Sequence, residues 1–282
     1  MLILYNPASN AQRKPVLPMS LLALGALLEG EYDYRIVDGN IEADPVAALD
    51  RALTETGATV LGVTVMPGPQ LGQAVPLCRE IKRRHPRVTI VWGGYFPTQH
   101  YEACLRSDYV DYVVRSHGEV VFKGLLDALR DGTDPTGLPG LAYRCRDTGE
   151  PMTNHLAPLP HPQRLPEFPY HRLDVGRYIR PTFLGRRTMA HHSSYGCPFL
   201  CNFCAVVNMV NGRWLARTAE QTAHTARMMV ETWGVDAIEF YDNNFFVHEA
   251  RVAEFSERVM DLGIAWWGEA RIDTMIKYSD RT

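Results

Sequence analysis

The chain has 282 residues, 46% of them hydrophobic and 22% charged, with a net charge of −3. That is a folded globular composition, long enough for one large domain or two ordinary ones, and it gives no electrostatic case for nucleic acid or an anionic membrane surface. No apolar run approaches the roughly 18 residues of a membrane span, and the opening MLILYNPASN has no basic leader, so a cytoplasmic protein is expected.

The first 130 or so residues alternate strand and helix patterns. Strands are predicted over Leu2–Tyr5, Tyr34–Val37, Thr59–Val65, Val88–Trp92 and Tyr109–Arg115; several are near-continuous β-branched runs, as strands buried on both faces tend to be. Helices are predicted over Met19–Leu28, Pro45–Thr56, Gln70–His85, Gln99–Arg106 and Glu119–Arg130. Five strands alternating with helices predict an α/β fold, a doubly wound parallel sheet of Rossmann or flavodoxin type over residues 1–135, whose ligands sit at the carboxyl ends of the strands. The loops expected there read NPASN, DGN, MPGP, GGYFPT and RSHGE. Their glycines and prolines, among them Pro67, Gly68, Gly93, Gly94 and Gly118, set tight backbone and let a large planar ligand come close. Neither a GxGxxG turn nor a GxxxxGK[ST] phosphate loop occurs.

Residues 136–185 read as a short hairpin, LAYRCRDTGEPMTN, and a linker with seven prolines between Pro151 and Pro181. From residue 186 the alternation restarts: strand Arg187–Ser193, helix Ala219–Thr232, strand Ala237–Tyr241, helix Glu249–Leu262 and strand Ala265–Glu269. Three strand–helix units make half of a (β/α) barrel, so residues 186–282 are expected to be a partial barrel, cut short as a fragment or completed by another subunit.

Directly after the first strand of this half barrel comes GCPFLCNFC, with Cys197, Cys201 and Cys204 within eight residues. In a parallel barrel that loop lies on the catalytic face. Three thiolates so close suit an iron–sulfur cluster with one iron left open. Zinc is the rival, with His191 or His192 as a fourth ligand, although CxxxCxxC is not a finger or ribbon spacing. A disulfide leaves one thiol over. Cys78 and Cys104 on predicted helices and Cys145 on a predicted strand read as packing or surface thiols, and His100 and His117 as polar surface groups.

The run Ser194-Tyr195-Gly196-Cys197-Pro198-Phe199-x-Cys201-x-Phe203-Cys204 resembles the signature of radical S-adenosylmethionine (AdoMet) enzymes. It is most similar to the branch with an N-terminal cobalamin-binding domain, which includes methylases, methylthiotransferases of related layout and the anaerobic Mg-protoporphyrin monomethyl ester cyclase. The GGYFPT and HGE turns support the N-terminal half of the likeness. The resemblance implies that Cys197, Cys201 and Cys204 ligate a [4Fe–4S] cluster whose fourth iron takes AdoMet. Reductive cleavage would then give a 5′-deoxyadenosyl radical that abstracts hydrogen from a small-molecule substrate. A low-potential electron donor such as flavodoxin or ferredoxin is implied as partner. Phe203 would pack near the adenine, or be a core phenylalanine; Asp242 and Asn243 would contact AdoMet, or cap the next helix. Glu269 and Arg271 would face the ribose or carboxylate, or form a surface ion pair.

The resemblance further implies cobalamin over the loops that carry Pro67, Gly68, Gly93, Gly94, Gly118 and Glu119. The Asp-x-His-x-x-Gly loop that supplies cobalt with a histidine in many such domains is lacking; the nearest string, Asp38-Gly39-Asn40-Ile41-Glu42-Ala43, has asparagine and alanine at the key positions. The expected activity is methyl transfer or oxidative cyclisation, with a non-catalytic cobalamin- or metal-binding protein as the alternative. A transfer-RNA methylthiotransferase ranks low, because Cys78, Cys104 and Cys145 show no convergence on a second cluster.

Overall fold

A computed structural model of the chain describes residues 1–10, 12, 15–280 and 282. It divides into two compact units, Met1–Pro160 with Pro166–Leu173, and His161–Leu165 with Asp174–Thr282.

The first unit runs β1 (Leu2–Asn6), α1 (Met19–Leu28), β2 (Tyr34–Asp38), α2 (Pro45–Thr56), β3 (Val60–Thr64), α3 (Pro69–Arg84), β4 (Thr89–Gly93), α4 (Tyr95–Gln99), α5 (Tyr101–Leu105), β5 (Tyr112–Val114), α6 (Glu119–Asp131), β6 (Leu141–Arg144) and β7 (Pro151–Thr153). The strand order is β2-β1-β3-β4-β5-β6-β7. The first five strands are parallel, which bears out the α/β expectation, and their order is the flavodoxin-like one. The hairpin β6–β7 extends the same sheet antiparallel beyond β5.

Strand alternation divides the core in two. Ile3, Tyr5, Leu61, Val63, Ile90 and Trp92 face a cluster with Leu49, Leu53, Leu77 and Ile81 of α2 and α3. Leu2, Leu4, Val60, Val91 and Val114 face Leu21 and Leu28 of α1 and Phe122, Leu125 and Leu126 of α6. Each strand is therefore apolar on both faces, which is why these runs lack polar alternation. Local signals fix the helix ends. Asp44 accepts from the Ala47 N–H and Pro45 opens α2, which closes on Gly57 with φ 63°.

Two sequence expectations need correction here. The single helix Gln99–Arg106 is two short helices, because His100 between them has a non-helical backbone (φ −120°, ψ 36°). The fifth strand is only Tyr112–Val114: Tyr109 leaves the ladder to pack on Trp92, ring centroids 5.9 Å apart, and Asp111 accepts from Lys82 and the Ile90 N–H.

The second unit runs β8 (Thr188–His191), β9 (Ser194–Gly196), α7 (Val206–Val210), β10 (Trp214–Ala216), α8 (Ala219–Trp233), β11 (Ala237–Phe240), α9 (Glu249–Val259), β12 (Ala265–Gly268) and α10 (Ile272–Met275). β8, β11 and β12 form a parallel sheet in that order, joined by α8 and α9, the (β/α) pattern expected. Thr218 and Gln221 form a capping box at the start of α8, and Gly234 ends it with φ 61°. One face of this sheet meets an aromatic core in which Phe240 contacts Phe245, Phe255 and Trp266 with centroids 4.6–6.2 Å apart. The antiparallel ribbon β9–β10 was not foreseen; three-residue strands flanking a loop leave no periodic signal.

Candidate functional site

The cysteine loop hangs from the ribbon β9–β10, just beyond the carboxyl end of β8. Gly196, the last residue of β9, has φ 78°, and a Cβ there would stand 2.3 Å from the Arg213 carbonyl oxygen. Only glycine lets the chain pass this close to β10 as it turns into Cys197.

The base of the loop is clamped from below. Asp242, at the carboxyl end of β11, accepts from the Ser193 N–H at 2.6 Å, from the Ser194 hydroxyl at 2.8 Å and from the Ser193 hydroxyl. All three residues are buried. Arg251 of α9 donates to the Ser193 hydroxyl at 2.6 Å and to the Arg217 carbonyl at 2.9 Å, and its guanidinium lies 4.9 Å from the Phe245 ring centre. Ser193 and Arg251 were not singled out from sequence, and Ser194 only as the first residue of the cysteine run; a serine and an arginine on a helix carry no motif until the fold brings them together.

Cys197, Cys201 and Cys204 are free thiols, each partly exposed. The Cys204 N–H donates to the Cys201 carbonyl at 2.9 Å, which curls the loop between them. Among the described residues no three His, Cys, Asp or Glu side chains already converge as a metal site. The donor set still fits an iron–sulfur cluster: three thiols on one accessible loop, with soft sulfur the ligand such clusters take and a metal commonly drawing its own ligands together. His191, the zinc alternative, is buried, its ring 6.1 Å edge-on from Phe240, and burial holds its pKa well below the ordinary imidazole value.

The other residues singled out for AdoMet fall around this loop unequally. Phe203 is 93% exposed, which removes the core-phenylalanine alternative and leaves an aromatic face open to a flat ligand. Asn243 is exposed, whereas Asp242 is buried in the clamp. Asn244 beside them is buried, and neither its side-chain oxygen nor its nitrogen has a hydrogen-bond partner. Glu269 is exposed, and its backbone carbonyl accepts from the Phe245 N–H at 2.9 Å. Arg271 reaches the loop itself: it donates to the Cys201 sulfur at 3.0 Å and lies 4.1 Å from the Phe199 ring centre.

In the first unit, β3, β4 and β5 are neighbours, so the three loops that carry Pro67, Gly68, Gly93, Gly94, Gly118 and Glu119 lie side by side at their carboxyl ends. Met66, Pro67, Gly68 and Pro69 are all exposed. Gly68 has φ 86°, and a Cβ there would meet nothing within 4 Å. This bare apolar loop suits the flat face of a corrin ring.

Glu119, at the first turn of α6, is buried with one carboxylate oxygen unpartnered, 4.0 Å from His117 through the other. His117 is not the surface histidine expected; it is largely enclosed, and desolvation lowers its pKa. His100 is exposed, as expected. The string Asp38-Gly39-Asn40 lies instead at the end of β2. There Asp38 accepts from the side chains of Asn6 and Asn40 and from the Asn40 N–H at 2.8–3.0 Å, in a buried network that ties the first two loops together.

Of the lone cysteines, Cys78 and Cys104 are buried on α3 and α5, while Cys145 lies in the hairpin turn just past β6 rather than on the strand.

Comparison with known proteins agrees with this fold. Residues 13–126 match the B12 binding domain. Over 97% of its length the chain is 26% identical to an uncharacterised methyltransferase of Pyrococcus horikoshii, of which it covers 60%. Over 99% of its length it is 28% identical to the anaerobic magnesium-protoporphyrin IX monomethyl ester cyclase of Synechocystis, of which it covers 57%. The chain thus spans about three-fifths of the length of these curated relatives.

Among solved structures, the cobalamin-dependent AdoMet radical enzyme OxsB superposes on the whole chain with a TM-score of 0.82 at 18% identity, the match covering 40% of OxsB. The radical AdoMet methyltransferase TsrM of Kitasatospora setae superposes on 93% of the chain with a TM-score of 0.71 at 20% identity, covering 51% of TsrM. The chain therefore has the fold of cobalamin-dependent radical AdoMet enzymes, and the resemblance drawn from the cysteine motif is borne out. No helix among the described residues is long and apolar enough to cross a membrane.

Proposed function

We propose that the chain is the cobalamin- and AdoMet-binding part of a radical AdoMet enzyme that transfers a methyl group to, or oxidatively cyclises, a small-molecule substrate. The observation that carries this reading is the cysteine loop at the carboxyl end of a parallel strand, pinned by Asp242 and Arg251, in a chain that also has a B12 binding domain.

In this reading Cys197, Cys201 and Cys204 hold a [4Fe–4S] cluster. The exposed Phe203 ring packs against adenine, and Asn243 and the unpartnered Asn244 amide offer donors and acceptors to the amino-acid end of AdoMet. Glu269 is left to accept from ribose hydroxyls. Pro67, Gly68, Gly93, Gly94 and Gly118 give the corrin a smooth bed, and Glu119 offers a carboxylate oxygen to a donor at its rim. Asp242 contributes by holding Ser193 and Ser194, and through them the direction of the loop. When bound, the cluster and cobalamin supply the electron for reductive AdoMet cleavage and the carrier for methyl transfer. A cytoplasmic flavodoxin or ferredoxin fits as the electron donor.

The test is electron paramagnetic resonance of anaerobically reconstituted, dithionite-reduced protein, with and without AdoMet, beside Cys201→Ala. A reduced cluster signal that shifts on adding AdoMet and is lost in the variant is expected. A silent protein holding one zinc refutes the reading. Methyl transfer and cyclisation separate by product mass, since only the first makes the product one methylene heavier.

A further inference from the structure

Arg271 follows β12 by three residues, yet it meets the cysteine loop from 70 positions away in sequence. Its guanidinium is fixed on three sides. Nε and Nη2 donate to the two oxygens of Asp273 at 2.9 and 2.8 Å, Nη1 donates to Cys201 Sγ at 3.0 Å, and the plane lies 4.1 Å from the Phe199 ring centre. The fork to Asp273 and the contact with Phe199 leave Nη1 one direction, toward the sulfur. Arginine stays charged at any working pH, and the fork to Asp273 aims its remaining N–H at the sulfur.

The reduction potential of a thiolate-held cluster is set by net charge, by hydrogen bonds to its sulfurs and by solvent exposure. A guanidinium N–H on a ligand sulfur stabilises the more negative, reduced state. We infer that Arg271 is a positioning residue that raises the reduction potential of the cluster held by Cys197, Cys201 and Cys204, through its Nη1–H on Cys201 Sγ. The inference rests on the cluster reading above. It gives Arg271 a task that needs no contact with AdoMet. The step concerned is the gain of one electron by the oxidised cluster from a low-potential donor, with no bond made or broken.

The experiment is a redox titration of reconstituted wild type, Arg271→Lys and Arg271→Met without AdoMet, followed by the reduced-cluster resonance, with iron and sulfide measured on each sample. In Arg271→Met, with iron and sulfide unchanged, the reduction equilibrium is expected to fall about tenfold, a midpoint about 59 mV more negative for one electron. Arg271→Lys should fall between, keeping a charge and a donor but losing the fork. A full cluster with an unmoved midpoint overturns the inference alone and leaves Arg271 a carboxylate binder for AdoMet. Loss of iron from a folded Arg271→Met also overturns it, as a structural clasp. A wild type that takes up no iron and sulfide overturns the cluster reading and the inference with it.

Discussion

Gly196→Ala tests whether the loop's direction depends on the ribbon beneath it. The added Cβ meets two obstacles. The backbone sits at φ 78°, which costs an L-residue about 1–2 kcal/mol. The methyl would also lie 2.3 Å from the Arg213 carbonyl oxygen and 3.0 Å from Val210 Cγ2, so β9 and β10 must part, at the cost of about 1–3 kcal/mol typical of overpacking. Together these predict a loss of about 2–5 kcal/mol, a large share of the 5–15 kcal/mol that stabilises a domain.

Gly234→Ala is the control. It has φ 61°, but its nearest neighbour would be Arg187 Nε at 3.6 Å, so it carries the backbone cost without the clash. Four of the five tryptophans, Trp214, Trp233, Trp266 and Trp267, lie in the second unit, so urea unfolding followed by tryptophan fluorescence reads that unit. With a slope of about 2 kcal/mol/M, the midpoint should fall by about 1–2.5 M for Gly196→Ala and by about 0.5–1 M for Gly234→Ala. Equal midpoints in the two variants would refute the clash. A wild-type midpoint in Gly196→Ala would refute the close approach of β9 and β10 altogether.

Three further outcomes are expected. In cluster-free protein at neutral pH, a thiol-alkylating reagent should modify Cys145, Cys197, Cys201 and Cys204 while sparing Cys78 and Cys104, whose thiols are buried and pushed up to about 12; mass spectrometry showing early label on Cys78 contradicts the packing. Glu29 accepts the forked guanidinium of Arg172 at 2.7 and 3.1 Å, which holds its pKa at about 2 against an ordinary 4.5. Because the folded value is the lower one, the stability it contributes is fully present above about pH 4.5 and fades as pH falls toward 2. With solvent screening of this partly exposed pair that contribution is about 1 kcal/mol, so Glu29→Gln should differ from wild type by that much at pH 6 and converge with it near pH 2 in acid-unfolding curves. Asp242→Ala strands three buried donors and should cost about 2–4 kcal/mol with sharply reduced iron uptake, whereas Ser194→Ala, removing one hydroxyl, should cost about 1 kcal/mol; equal effects would argue against a shared clamp.

The parts of the fold visible in sequence were those written in local patterns. Apolar runs such as Val60–Thr64 announce strands covered on both faces, and Asp44-Pro45 and Thr218 with Gln221 announce helix starts. What escaped reading was decided by contacts across the chain. Tyr109 is as β-prone as Tyr112, but the Trp92 ring and the Arg79 guanidinium draw it out of the ladder. His117 sits in a polar-looking string, and the fold encloses it beside Glu119.

The candidate site divides along the same line. Cys197, Cys201 and Cys204 were legible because three thiols fall within eight residues, so spacing alone carries the signal. The groups that aim the loop need no fixed spacing, because they act from other strands. Asp242 lies almost 50 residues from the serines it binds; the family resemblance marked it as an AdoMet contact, or else a cap of the next helix, while in the structure its oxygens are turned inward to Ser193 and Ser194. Arg271 was noticed for its position after β12, but its donation to Cys201 is a fact of the third dimension. The ligands of such a site are thus encoded locally, and its aim and electrostatics non-locally. In the proposed reading, substitutions that leave every cysteine in place can therefore still weaken the chemistry, Asp242 through the direction of the loop and Arg271 through its donation to Cys201.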